Sequence, residues 1–89
     1  MKVNKNYILK KMTETLYVVI PVNEATKTLK GYLNLNETSA KLFEVLSKGA
    51  TLDDLVNYLI DNYEVDKELA TKDATNFVNK LKEIGAIND

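Results

Sequence analysis

The run from Leu35 to Ile60, LNETSAKLFEVLSKGATLDDLVNYLI, constrains the fold more than any other stretch. It reads as the end of a strand, a capped helix, a glycine stop and a second capped helix. Asn36 stands at an N-cap position, where its side-chain oxygen can accept a bond from a first-turn N–H. The run behind it places Ala40, Leu42, Phe43, Val45 and Leu46 on one apolar side. Gly49 stands where a left-handed residue would close that helix. Thr51-Leu52-Asp53-Asp54 then matches the Ser/Thr-x-x-Asp/Glu capping pattern. The second helix is expected to bury Leu52, Leu55, Val56, Leu59 and Ile60, at helical spacing.

Three strand candidates precede this stretch. Tyr7 to Met12 is the first, turning at Thr13-Glu14. Leu16 to Ile20, LYVVI, is the second and is rich in β-branched and aromatic residues. Pro21 ends it, because proline donates no ladder bond. Leu29 to Leu35 is the third. It alternates, with Leu29, Leu33 and Leu35 on one face and Lys30, Tyr32 and Asn34 on the other, as a half-buried strand does. Gly31 interrupts the alternation, as a bulge or a close backbone approach would.

Beyond the second helix, Asp66 is a candidate cap for a third, from about Lys67 to Ile84. Its apolar stripe is Ala70, Ala74, Phe77, Val78, Leu81 and Ile84, at spacings of three and four. Gly85 stops it, and Ala86-Ile87 is expected to drop back onto the core. The order is β-β-β-α-α-α. Sequential strands most simply pair as an antiparallel meander with the second in the centre. The expected fold is α+β and winged-helix-like. It forms one domain over residues 1–89, with the polar residues 1–6 frayed.

Composition removes most chemistry. The chain has no His, no Cys and no Arg; its 12 basic residues are all Lys, against 13 acidic ones. The commonest general base and metal ligand is thus missing, and so is the planar fork that grips phosphate and guanine. Ser39 and Ser47 read as helix-end residues rather than nucleophiles. Asp53 and Asp54 diverge by about 100° on a helix, so they do not face each other as a catalytic pair. The three glycines are scattered and build no phosphate loop. An enzyme is not expected, nor any cofactor or metal. No run approaches the roughly 20 apolar residues of a membrane span. The segment MKVNKNYILKKM lacks the apolar core of a signal peptide, so a cytoplasmic location is expected. A winged helix-turn-helix regulator is the main alternative. However, the third helix balances Lys67, Lys72, Lys80 and Lys82 against Asp66, Glu68, Asp73 and Glu83, and the second carries Asp53, Asp54 and Asp61 with no Lys. A duplex would not be attracted to either, so nucleic acid is not expected as a partner.

Peptide binding suits the chain better. A meander leaves an edge of unpaired N–H and C=O groups, a template for an added strand. Here that edge is Leu29, Lys30, Gly31, Tyr32, Leu33 and Asn34, leading into Leu35. The same edge would also pair with a second copy and give a homodimer.

An ordered set of residues carries a family resemblance. It begins at Leu35-Asn36-Glu37-Thr38 and continues through Leu42-Phe43, Leu46, Gly49, Thr51 and Leu55. It resumes at Tyr63, Val65-Asp66, Asp73, Phe77-Val78, Leu81 and Gly85-Ala86-Ile87. From about Leu33 to Ile87 the chain resembles the PqqD family of small peptide chaperones. These are the precursor recognition elements of ribosomally made, modified peptides. Phe43 stands where the family often has Trp, and Ala86-Ile87 where a Leu-Leu pair is commoner. The resemblance implies three strands followed by three helices. It implies a domain that binds the leader of a precursor peptide and presents it to a modifying enzyme, often a radical S-adenosylmethionine maturase. The leader would add beside the third strand and pack against the third helix. On a wheel of 100° per residue, the helix border formed by Leu69, Asp73, Asn76, Lys80 and Ile84 mixes apolar and charged groups, as a groove wall would.

Overall fold

The computed structural model describes residues 1–23, 26 and 32–87. Three strands, β1 (Tyr7–Lys11), β2 (Tyr17–Pro21) and β3 (Leu33–Leu35), precede three helices, α1 (Glu37–Ser47), α2 (Leu52–Asn62) and α3 (Lys67–Glu83). The sheet order is β1-β2-β3 and both pairings are antiparallel, so β2 is central as expected. The register sets Tyr7 opposite Pro21, Tyr17 opposite Leu35 and Val19 opposite Leu33. The parity of side chains then puts Tyr7, Leu9, Tyr17, Val19, Leu33 and Leu35 on the face that meets the helices.

Each strand differs slightly from its sequence reading. β1 stops at Lys11, because the N–H groups of Met12 and Thr13 both donate to the Leu16 carbonyl. The Thr13 hydroxyl then accepts from Leu16 N–H at 3.0 Å and closes the turn. Pro21 is the last residue of β2 rather than the first beyond it. A strand end is where a missing N–H is tolerated. β3 begins at Leu33; Leu29, Lys30 and Gly31 of the expected strand lie outside the described residues.

The helices start where the sequence places their caps. Asn36 Oδ1 accepts from Ser39 N–H at 2.8 Å, and Asp66 Oδ1 from Leu69 N–H at 2.8 Å. Thr51 and Asp54 form a reciprocal capping box, at 3.1 and 2.9 Å. α3 ends at Glu83 in a Schellman motif: Ala86 N–H donates to the Leu81 carbonyl and Gly85 N–H to that of Lys82. Gly85 is left-handed there, with φ of 79°.

The core joins Val19 and Leu35 of the sheet to Leu46 of α1, Leu55 and Leu59 of α2, and Phe77 and Leu81 of α3. α2 packs along α3, where Ala70 and Ala74 are fully buried and lack the bulk to hold the helices apart. Ile60 does not join this core. It stands at the border of the α2 stripe and is 37% exposed. Residues 1–6, expected to fray, lie against the body of the domain. Asn4 N–H donates to the Ala86 carbonyl at 2.7 Å, Val3 bridges Ile87, and the Met1 amine donates to the Ala50 carbonyl at 2.8 Å. Ala86 and Ile87 drop back onto the core as expected, and the N-terminal segment is fastened to them.

The Tyr7 hydroxyl donates to the carbonyl of Ile84, fastening the end of α3 to the Tyr7–Pro21 end of the sheet. A Cβ on Gly85 would lie 3.3 Å from that hydroxyl oxygen, whereas a Cβ on Gly49 would meet nothing within 4 Å. Both glycines are left-handed. Gly49→Ala is therefore expected to cost about 1–2 kcal/mol from backbone strain alone. Gly85→Ala should cost more, because it also crowds the Tyr7 hydrogen bond. Urea unfolding of both variants measures the difference; equal losses would refute the contact.

Candidate functional site

Beside β3 lies a cleft of about 470 Å³. One wall is the end of β3 and the start of α1, with Asn34, Asn36, Thr38 and Ser39. The other is α3, which presents Asp73, Asn76 and Lys80. Leu35, Leu42, Leu59 and Phe77 also line it and are themselves buried, so the floor is apolar. Tyr63 and Val65, from the turn between α2 and α3, complete the lining. A concave, apolar floor with a few convergent polar groups is the usual form of a binding site.

The wall positions follow from local structure. Asp73, Asn76 and Lys80 are spaced three and four apart on one helical face. Among the described residues, no hydrogen bond or ion pair engages the side chain of any of the three. Asn36 is held by its own cap bond, so its side-chain oxygen is already an acceptor within the fold. On the opposite wall, β3 pairs only with β2 among the described residues, so its other edge carries no strand. The cleft therefore adjoins a row of main-chain donors and acceptors, with charged groups across from it.

Of the residues singled out from sequence, the structure brings Asn34, Asp73, Asn76 and Lys80 together on this cleft. Leu69 continues the same face of α3 one turn toward its N-terminus and is 46% exposed, but it does not line the cleft. Leu33 is half-buried against the core, and Tyr32 is 67% exposed just before β3. Ile84 is set apart from the cleft: it is the C-cap of α3, with its side chain in the core. At 100° per residue Ile84 falls only about 20° from Phe77, on the core side of Asp73, so it belongs with the buried stripe rather than the border. Leu29, Lys30 and Gly31 lie outside the described residues.

Sequence reasoning did not pick out Tyr63, Val65, Thr38 or Ser39 as site residues. The sequence marks Asn36 as a cap and part of the family pattern, not as a site residue. Its position directly after β3 was the available signal that the cap and first turn of α1 prolong that edge. Tyr63 follows the last residue of α2, with its ring centroid 6.4 Å from that of Tyr58, and remains 38% exposed. Among the described residues, no helix is long and apolar enough to cross a membrane.

Comparison with known proteins agrees with this architecture. A solved lasso peptide synthetase B1, complexed with the leader peptide, is 24% identical and superposes with a TM-score of 0.73, covering 99% of this chain and 96% of the other. TbiB1, in complex with the TbiA(beta) leader peptide, is 20% identical with a TM-score of 0.71, covering 99% of this chain and all of the other. At these identities the likeness shows a shared fold. No curated protein is similar enough in sequence to match. Residues 17–87 match the family model described as coenzyme PQQ synthesis protein D, and the chain therefore belongs to the PqqD family.

Proposed function

We propose that this chain binds the leader of a ribosomally made precursor peptide by strand addition and holds it for a modifying enzyme. The observation that carries this reading is the edge of β3 that pairs with no strand among the described residues, beside a cleft with an apolar floor. An added strand gains main-chain hydrogen bonds from such an edge, and its alternate side chains drop into pockets beside it. Family membership and the two leader-peptide complexes with the same fold support it. The chain's part is passive. Holding the leader raises the local concentration of the attached core peptide at an active site on the partner. A radical S-adenosylmethionine maturase in the cytoplasm is the partner we favour, and the protein itself transforms nothing.

The test is a titration of ¹⁵N-labelled protein with the leader of a precursor encoded beside its gene. Amide shifts are expected on Leu33–Leu35 and around Asp73, Asn76 and Lys80, with none on adding duplex DNA at physiological salt. Leader binding that leaves β3 undisturbed would overturn the strand-addition site. Salt-sensitive duplex binding through α3 would favour a transcription regulator instead. Concentration-dependent shifts along β3 without any peptide would instead point to pairing with a second copy.

A further inference from the structure

The cleft also carries a sign. Asp73 and Lys80 both line it, both are exposed, and neither side chain has a hydrogen bond or ion pair among the described residues. They stand seven positions apart, about 10 Å along the axis at roughly 1.5 Å per residue. An added strand advances roughly 3.3 Å per residue. Its side chains alternate, so two that face α3 are an even number of residues apart. A separation of two or four brings long charged side chains within reach of both Asp73 and Lys80.

The direction follows from how α3 and β3 are fastened. Ile84, at the end of α3, accepts the Tyr7 hydroxyl at the Tyr7–Pro21 end of the sheet. Leu33, at the start of β3, pairs with Val19, two residues from Pro21, while Leu35 pairs with Tyr17 at the opposite end. The turn leading into α3, with Tyr63 and Val65, shares the cleft with Thr38 and Ser39, which lie beyond the end of β3. α3 therefore runs in the opposite sense to β3. Both ladders of the sheet are antiparallel, the commoner pairing, and a strand added to β3 in the same way meets Asp73 first and Lys80 second.

We propose that the cleft selects peptides by charge order: a Lys or Arg that pairs with Asp73, followed two or four residues later by an Asp or Glu that pairs with Lys80. This rests on the strand-addition reading and adds to it a rule for which peptides are accepted and in which direction they lie. The reverse order sets like charges against each other at both positions, which is how a charged surface rejects a wrong partner. Reversal should weaken binding roughly tenfold, given two partly exposed pairs turned from attraction to repulsion. The penalty should shrink as salt rises.

The probe is a displayed library of random dodecapeptides, selected in parallel on the full chain and on its Asp73→Lys/Lys80→Asp double variant. Both side chains are exposed, and a thermal melt checks that the variant folds. Wild-type protein is expected to enrich basic-then-acidic peptides and the double variant acidic-then-basic ones. Peptides that shift the amides of β3 but show the same order, or no order, in both selections would overturn the charge rule and leave strand addition standing. Selected peptides that bind without touching β3, or a selection that yields none, would overturn both.

Discussion

Leu46→Ala is expected to lower the unfolding free energy by about 2–5 kcal/mol, the range for emptying a buried leucine site. Leu46 is fully buried, at 0% exposure, and is among the largest side chains so enclosed. It lies in the last turn of α1, on the segment where the N-terminal chain is fastened. Its carbonyl accepts from the N–H groups of both Val3 and Gly49. Alanine is the better helix former, so the loss measures packing and not helix propensity. At about 0.05–0.15 kcal/mol per residue, a domain of this size holds only about 4–13 kcal/mol in all. The substitution therefore removes a large share of it. For a domain of 60–100 residues each kcal/mol moves Tm by about 4–8 °C, so the melting point should fall by about 8 °C or more. Ile60→Ala is the control: Ile60 was expected in the same core from its spacing but is 37% exposed, and its loss should be well under half as large. Circular dichroism melts of the two variants decide the matter. A shift for Leu46→Ala no greater than for Ile60→Ala would contradict the packing described here.

What could be read from sequence was whatever short-range chemistry decides. Asn36, Thr51 and Asp66 each cap a helix through a bond to a residue three positions on, so the signal and its partner lie within four residues. Gly85 declares itself in the same way, because only a left-handed residue completes the Schellman pair between Ala86 and Leu81. The fastening of residues 1–6 was not legible. Val3 meets Ile87 and Asn4 meets Ala86 across nearly the whole chain, and polar composition near a terminus gives no hint of that. The cleft was half legible for the same reason. Asp73, Asn76 and Lys80 lie on one helical face, and face arithmetic finds them. Tyr63 and Val65 reach the cleft only because α2 packs along α3, which is a tertiary fact, whereas Ser39 follows from α1 starting directly after β3. Ile84 marks the limit of the arithmetic: it lies about 20° from both Phe77 and Asp73 on the wheel, and only packing decides that it joins the core.

The second large effect is expected from the peptide rather than the protein. If a leader adds to β3 as a strand, its N–H groups point alternately toward β3 and away from it. Methylating one backbone nitrogen at a time should therefore weaken binding with a period of two. Each methyl facing β3 removes a hydrogen bond and leaves a main-chain acceptor unpaired. That costs about 1–3 kcal/mol, or roughly five- to over a hundredfold in affinity. Methyls on the intervening residues should change it by no more than about threefold. A peptide bound as a helix in the cleft would instead lose affinity at consecutive positions, because every interior N–H of a helix is used. A peptide held only by its side chains would show no period. Isothermal titration of the methyl series distinguishes the three outcomes. The described part of β3 is three residues long, so few main-chain bonds form there. At about 1 kcal/mol net apiece they fall short of the roughly 8 kcal/mol that micromolar binding requires. The remainder has to come from side chains buried on the apolar floor of Leu35, Leu42, Leu59 and Phe77. The most damaging single truncation in the peptide should accordingly be an apolar residue on the α3-facing parity, within two positions of the most damaging methyl.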